Sequence, residues 1–183
     1  MTSLHTRTSR PANPPTATHV VVMGVSGAGK STIGALIADA LNFPFVDADS
    51  LHPPENIRKM AAGTPLSDQD RWPWLELVGH ELAQAQGDGM VVACSALKRS
   101  YRDAIRRQAP HTVFLHLNGS LEVLGTRLEG RSGHFMPPAL LASQLAALEP
   151  LEADEAAVVV DVAAGVNHIV ERAVSGIRAA TGA

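Results

Sequence analysis

Short apolar runs alternate along this chain with longer segments in which apolar residues recur every three or four positions. Runs of the first kind predict buried β-strands, and segments of the second kind predict amphipathic helices. The predicted strands cover about 19–23, 42–49, 90–94, 112–117 and 157–162. The predicted helices cover about 33–41, 53–60, 66–86, 98–108, 121–130, 139–148 and 166–180. Strands that alternate with helices are typical of a single α/β domain with a parallel sheet.

The first predicted strand leads directly into a glycine-rich segment. This segment is Gly24-Val25-Ser26-Gly27-Ala28-Gly29-Lys30-Ser31-Thr32, which fits the phosphate-binding pattern G-x-x-x-x-G-K-[ST]. Glycines let backbone N–H groups curl around an anion, and the N-terminus of the following helix adds partial positive charge. Lys30 can reach the β- and γ-phosphates of a nucleotide, and the Ser31 hydroxyl can hold Mg²⁺. The alternative is a glycine-rich turn that matches by chance, but the strand before it and the helix after it favour a phosphate-binding loop (P-loop).

Composition narrows the class of protein further. The chain has 183 residues, with 15 basic and 18 acidic side chains and a net charge of −3, which argues against a general nucleic-acid binder. Cys94 is the only cysteine, so a disulfide framework is excluded, and a small buried apolar role is favoured over a catalytic thiol. No apolar run approaches the 18 or so residues of a membrane span, and a reducing cytoplasm is the default expectation. Residues 1–18 are basic and rich in Ser, Thr and Pro; we predict a disordered extension, with an organelle transit peptide as the alternative.

Two carboxylates, Asp47 and Asp49, lie at the end of the second predicted strand. If the strand persists that far, its alternation points both side chains the same way, at the edge where open α/β sheets bind ligands. Phosphoryl transfer to an alcohol needs one group to orient or deprotonate the hydroxyl and another to assist Mg²⁺. We therefore predict Asp47 as the metal-side carboxylate, in preference to Asp161 after the fifth predicted strand.

Several cations lie where an anionic substrate could meet them. Lys98 begins a basic helix beyond the third predicted strand, and we place it near the site. Arg99, Arg102 and Arg106 share one side of that helix, and we interpret this side as a solvated face. Arg127 and Arg131 are four residues apart, and with the irregular segment that follows they predict a lid over about 125–138 that closes over the transferring phosphoryl group.

The chain also resembles the gluconokinase family, over about residues 20–162. The P-loop specifies only a superfamily, whereas the other matching segments are more specific. These segments are Asp47-Ala48-Asp49 with Leu51-His52-Pro53, Asn56-Ile57-x-Lys59-Met60, Gly63-x-Pro65-Leu66-x-Asp68-x-Asp70-Arg71-x-Pro73-Trp74-Leu75, Cys94-Ser95-Ala96-Leu97-Lys98 and Gly133-His134-Phe135.

The resemblance implies a P-loop fold like that of nucleoside monophosphate and shikimate kinases, with a five-stranded parallel sheet of order 2-3-1-4-5 and a short lid. It implies ATP- and Mg²⁺-dependent phosphorylation of D-gluconate at its 6-hydroxyl, by a cytoplasmic homodimer that feeds the pentose phosphate or Entner–Doudoroff routes. The alternatives are a kinase of another hydroxy acid, such as shikimate, and a nucleotide-sensing module without turnover. Residues 19–183 would form the single kinase domain.

The resemblance also suggests a role for individual side chains. The P-loop from Gly24 to Thr32 would bind the ATP phosphates, and Arg127 and Arg131 would lie near adenine and the phosphates, respectively. Asp49 would align with the acceptor-hydroxyl aspartate, and Asp47 and Ser31 would serve the metal. A cation must hold the gluconate carboxylate, and a guanidinium suits it because its fork is bidentate. Arg71 is the first choice, followed by Lys98 and His52, and His134 completes the predicted substrate set.

Overall fold

The computed structural model describes residues 17–130 and 138–182. Within them the strands are β1 (Thr18–Met23), β2 (Phe45–Asp47), β3 (Gly89–Ala93), β4 (Thr112–Asn118) and β5 (Ala157–Asp161). The α-helices are α1 (Lys30–Leu41), α2 (Pro54–Ala61), α3 (Asp68–Gln84), α4 (Arg99–Gln108), α5 (Leu121–Glu129), α6 (Pro138–Ala147) and α7 (Val166–Thr181). A 3₁₀ helix, Ala48–Leu51, follows β2 directly.

The strands form one sheet of order β2-β3-β1-β4-β5, and every neighbouring pair is parallel. This confirms the predicted α/β class and strand order. Because all strands point the same way, their carboxyl ends meet at one edge of the sheet. The P-loop, which follows β1, therefore lies between the segments that follow β3 and β4.

Helices cover both faces of the sheet, and the central strand explains why. Val20 and Val22 of β1 pack into a cluster with α1 and α7, whereas Val21 and Met23 pack into a second cluster with α3 and α4. All four side chains are fully buried. A strand buried on both faces is a continuous apolar run rather than an alternating one, which is the pattern of residues 19–23.

The structure corrects three local predictions. The second strand ends at Asp47 rather than Asp49, so strand alternation does not align the two carboxylates; Asp49 lies in the 3₁₀ helix instead, which Asp47 caps. Helix α3 spans Asp68–Gln84 rather than the predicted 66–86, and its N-cap Ser67 accepts a hydrogen bond from the Asp70 N–H in a reciprocal capping box. β1 begins at Thr18, one residue before the predicted domain boundary, and residues 1–16 lie outside the described ranges.

Along the described ranges, no helix combines the length and apolar character needed to cross a membrane.

Candidate active site

The non-helical part of the P-loop, residues 24–29, lies between the end of β1 and the start of α1. Gly24 has a φ of +144°, and a Cβ atom there would lie 2.9 Å from the backbone oxygen of Leu117. Gly29 is the N-cap of α1 with a φ of +92°, in the left-handed region. Both positions need glycine, because other residues adopt these angles only with strain. The loop therefore brings its backbone close to β4 and turns sharply into the helix.

Side chains around the loop converge on its peptide groups. The Lys30 ammonium donates a hydrogen bond to the backbone oxygen of Val25 at 3.1 Å, so the lysine curls back over the loop. Arg127 of α5 donates to the backbone oxygens of Ala28, at 3.4 Å, and Val162. Thr32 lies exposed in the first turn of α1. The predicted nucleotide-binding residues of the described chain therefore gather at one end of the sheet.

Ser31, Asp47 and Asp49 are linked in a short chain of hydrogen bonds. The Ser31 hydroxyl donates to Asp47 Oδ2 at 2.5 Å, and the Asp49 backbone N–H donates to Asp47 Oδ1 at 3.0 Å. Asp47 thus caps the 3₁₀ helix that carries Asp49. The Asp47 carboxylate therefore links the hydroxyl at the start of α1 to the backbone of Asp49.

The Ser31–Asp47 pair has the chemistry of a magnesium site. Mg²⁺ prefers oxygen ligands and is usually bound by one or two carboxylates together with substrate phosphates and waters. Across residues 17–130 and 138–182, no group of three or more His, Cys, Asp or Glu side chains could hold a metal ion. A hydroxyl and a carboxylate beside a P-loop fit an ion that is also bound by substrate phosphates.

A second group of side chains faces the same edge from the 3₁₀ helix, α2 and α3. The His52 ring stacks on Trp74, with ring centroids 4.2 Å apart and an interplanar angle of 15°. The indole N–H of Trp74 donates to the backbone oxygen of Ala48 at 2.7 Å. The buried Asn56 uses its amide nitrogen to reach the Asp70 backbone oxygen at 2.8 Å and His52 Nδ1 at 3.3 Å. Since the amide nitrogen only donates, Nδ1 accepts, and His52 presents its Nε2–H as a donor.

The protonation of His52 follows from the same surroundings. Burial lowers its pKa; the Asp49 carboxylate acts in the opposite direction, and the Arg71 guanidinium acts in the same direction as burial. The net shift is downward, so the ring is neutral at pH 7. His52 can therefore orient a substrate oxygen by hydrogen bonding, but it does not supply a positive charge.

Asp68 lies beside Lys98 and Arg71, the two cations predicted to bind the gluconate carboxylate. Lys98 Nζ donates to both Asp68 oxygens, at 3.0 and 3.2 Å, and the Tyr101 hydroxyl donates to Oδ1 at 2.5 Å. The hydrogen bonds from Tyr101 and Lys98 hold the pKa of Asp68 below its usual value. Arg71 Nη1 lies 3.8 Å from Asp68 and donates to the Leu66 backbone oxygen at 2.6 Å. Asp68 and Tyr101 were not predicted as site residues, although Asp68 lies in the motif that contains Arg71.

Cys94 lies under the site rather than in it. It is buried at the end of β3, and burial raises the pKa of its thiol to about 12. The charges of Lys30, Asp49 and Asp47 also act on the pKa of this thiol. This agrees with the predicted apolar role, since a protonated buried thiol is unreactive.

One predicted surface proves to be wrong, and two predicted residues lie outside the described ranges. Arg102 is fully buried instead of lying on a solvated face, and it forms an ion pair with the equally buried Glu155. Arg131 and His134 fall in residues 131–137, as does half of the predicted lid. Helix α5 ends at Glu129 with Gly130 as its C-cap, and the predicted pairing of Arg127 with Arg131 lies partly outside the described residues.

A further contact at the P-loop was not predicted. Gln144 of α6 is hydrogen-bonded to Ser26, 118 positions earlier in the chain. Nothing in the local sequence around either residue indicates this pairing.

Comparison with known proteins agrees with this geometry. A family model described as shikimate kinase matches residues 26–175. The thermosensitive gluconokinase of Escherichia coli K12 is 46% identical over 156 residues, which cover 83% of each chain. A gluconokinase of Gluconobacter oxydans 621H is 49% identical over 139 residues, covering 74% of this chain and 78% of its own. A gluconokinase crystal structure from Sinorhizobium meliloti 1021 superposes with a TM-score of 0.83 at 49% identity, covering 92% of this chain and 96% of the other.

Proposed function

This chain belongs to the gluconokinase family, and from that premise we propose that it transfers the γ-phosphoryl group of ATP to the 6-hydroxyl of D-gluconate. The products are 6-phospho-D-gluconate and ADP. The observation that carries the proposal is the hydrogen-bonded chain from Ser31 through Asp47 to Asp49 beside the P-loop. It joins nucleotide-binding and acceptor-binding groups at one edge of the sheet.

Each side chain has a role in an in-line transfer. The P-loop and Lys30 hold the β- and γ-phosphates, while Ser31 and Asp47 would hold Mg²⁺. The ion would supply positive charge to the phosphate oxygens. The Asp49 carboxylate orients the 6-hydroxyl and accepts its proton as the new P–O bond forms and the bond to the ADP oxygen breaks. Arg131, on the segment that follows α5, contributes positive charge to the transferring group.

Arg71 remains the first choice for the gluconate carboxylate. Its Nη1 is used by the Leu66 backbone oxygen, but in the described part of the chain no acceptor meets its Nη2 or Nε. Lys98 is less suitable, because its ammonium already lies on both oxygens of Asp68. The neutral His52 supplies an N–H donor for a hydroxyl oxygen, and His134 completes the proposed acceptor set.

Four finer properties belong to the same proposal. The enzyme requires Mg²⁺, acts in the cytoplasm as a homodimer, and supplies 6-phosphogluconate to the pentose phosphate pathway. Nucleic acids and membranes are not partners, which is in keeping with the net charge of −3.

The first experiment measures ADP release with ATP and Mg²⁺ across gluconate, its stereoisomers and shikimate. We expect turnover on gluconate to exceed turnover on every other acid. Turnover on shikimate or another acid instead would overturn the substrate, and nucleotide binding without any acceptor-dependent turnover would favour a sensing module.

Asp49→Asn tests the mechanism, with Asp161→Asn as a matched control. Both aspartates are exposed near the carboxyl end of a strand, but among the described residues the Asp161 carboxylate accepts only a local hydrogen bond, from the Ala163 N–H at 2.8 Å. We expect Asp49→Asn to lower kcat by about 10²–10⁴-fold, the range of general base catalysis, with ATP affinity retained. Asp161→Asn should leave both quantities nearly unchanged. An active Asp49→Asn enzyme would contradict the assigned base.

A further inference from the structure

The side-chain amide of Gln144 is bonded at both of its ends to one residue of the P-loop. The Ser26 backbone N–H donates to Gln144 Oε1 at 2.8 Å, and Gln144 Nε2 donates to Ser26 Oγ at 3.1 Å. Both residues are half-buried. Two bonds to one residue fix the orientation of the amide, since its oxygen must face the N–H group.

The peptide group between Val25 and Ser26 is where this contact meets the Lys30 side chain. The carbonyl of that peptide accepts the hydrogen bond from Lys30 Nζ at 3.1 Å, and its N–H is the donor to Gln144. In a P-loop the helix N-terminus holds the inner phosphates, while the lysine reaches the β- and γ-phosphates. The Val25–Ser26 peptide, on the lysine side of the loop, therefore marks the γ-phosphate end.

Gln144 also retains hydrogen-bonding capacity. Its Nε2 carries two hydrogens, and in the described ranges only Ser26 Oγ accepts one of them. The second hydrogen is available to an acceptor at the same end of the loop. A phosphate oxygen is such an acceptor. The amide itself is uncharged.

We propose that Gln144 is a positioning residue for the γ-phosphoryl group of ATP, holding the Val25–Ser26 peptide from α6 and directing an amide N–H toward the terminal phosphate. The proposal rests on ATP as the phosphoryl donor, but it does not depend on which acid accepts the group. Its tests therefore use nucleotide binding without acceptor, which separates its failure from a failure of the proposed function.

Gln144→Glu is the decisive variant. A carboxylate can still accept from the Ser26 N–H, and the Ser26 hydroxyl can donate to its second oxygen, so the contact between α6 and the P-loop is kept. The new negative charge lies beside the γ-phosphate but farther from the phosphates of ADP. We expect the affinity for a non-hydrolysable ATP analogue to fall about tenfold or more, because like charges a few ångströms apart repel strongly at a protein surface. ADP affinity should change by less than about threefold.

Two further variants complete the experiment, with calorimetry in the presence of Mg²⁺ as the binding assay. Gln144→Ala should lower the affinity for the ATP analogue more than the affinity for ADP, which should stay within about twofold. Ser143→Ala is the control, because within the described residues the Ser143 hydroxyl donates only to the Leu140 backbone oxygen of the same helix, and it should change neither affinity.

The ratio of ATP-analogue to ADP affinity separates positioning from a purely structural role. If Gln144→Glu weakens both nucleotides equally, the residue only braces the loop, and the proposal is wrong. If it weakens neither, Gln144 is not near the γ-phosphate, and the proposal is equally wrong. Thermal unfolding of each variant identifies a folding defect. If Gln144→Glu has such a defect, the ratio of ATP-analogue to ADP affinity is measured for Gln144→Ala instead. An unchanged ratio in Gln144→Ala also contradicts the proposal.

Discussion

Arg102 binds two distant segments of the chain together, and its replacement by methionine is expected to destabilise the protein strongly. Its guanidinium donates to Glu155 at 2.6 and 3.0 Å, and both side chains are completely buried. It also donates to four backbone oxygens, of Ala96, Leu97, Glu149 and Pro150, at 3.0 to 3.4 Å. The loop that carries Lys98 is thereby held against residues 149–155.

The magnitude follows from what the substitution leaves behind. Arg102→Met fills most of the space but leaves the Glu155 carboxylate with the Glu152 N–H at 2.8 Å and with Arg99 at 3.7 Å. Breaking one partner of a buried ion pair costs about 3–5 kcal/mol, because the other charge remains buried without compensation. For a chain of this size, about 2–4 °C of Tm is lost per kcal/mol, so we expect Tm to fall by about 6–20 °C.

The assay is urea unfolding of a double-mutant cycle made of Arg102→Met, Glu155→Gln and the double variant. The double variant should be more stable than the sum of the single losses predicts, by about 1 kcal/mol or more. Arg106→Met is the matched control, one turn along the same helix and 25% exposed, with an expected loss below about 1 kcal/mol. A loss from Arg102→Met no larger than that of the control, or additive losses in the cycle, would refute this reasoning.

The pH dependence gives an independent check. Burial acts to raise the pKa of Glu155, but hydrogen bonds from Arg102 and the Glu152 backbone outweigh it, and the pKa lies below its usual value. A carboxyl whose pKa is lower in the folded state stabilises the protein above its unfolded pKa of about 4.5, and this contribution is lost as pH falls through the folded pKa. The difference between wild type and Arg102→Met should therefore be largest at neutral pH and shrink below about pH 4.

Two further predictions concern helix packing and histidine titration. Gly34→Ala should destabilise the protein by about 1–3 kcal/mol in urea unfolding, because its Cβ would lie 2.7 Å from the Phe45 ring. Gly125→Ala, in open space on α5, should instead be neutral or stabilising by up to about 1 kcal/mol, and the same loss at both sites would contradict the packing argument. The pKa of His52, measured by NMR, should lie below 6.5. Because the unfolded state binds more protons at this residue than the folded state does, the contribution of His52 makes stability rise with pH up to about 6.5. A midpoint above 6.5 would contradict the buried neutral ring.

The parts of the site that sequence predicts well are those fixed by contiguous residues or by strand ends. The P-loop is a single run from Gly24 to Thr32, and its shape follows from local glycine geometry. Asp47 is the last residue of a strand, and parallel strands bring their carboxyl ends to one edge, so its proximity to Ser31 could be predicted without knowing any side-chain contact. The family resemblance supplied the strand order, which local pattern alone leaves open.

Contacts between distant segments were not predictable in the same way. Gln144 and Ser26 are 118 positions apart, and each is an ordinary polar residue in its own segment. Asn56 reaches the Asp70 backbone through its amide, which depends on how α2 packs against the start of α3. Such pairings are decided by tertiary packing, and neither periodicity nor a short motif reports them.

The face of α4 shows what periodicity can and cannot establish. Arg99, Arg102 and Arg106 do share one side of the helix, as their spacing of three and four residues predicts. Their side chains are nevertheless 24%, 0% and 25% exposed, respectively, because residues 149–155 cover the middle of that side. The covering segment contains four acidic residues, of which Asp154 contacts the two outer arginines and Glu155 the central one. Spacing therefore identifies the helix face, whereas charge complementarity with another segment indicates what covers that face. A basic helix face and an acidic segment in one chain are better predicted as partners than as two solvated surfaces.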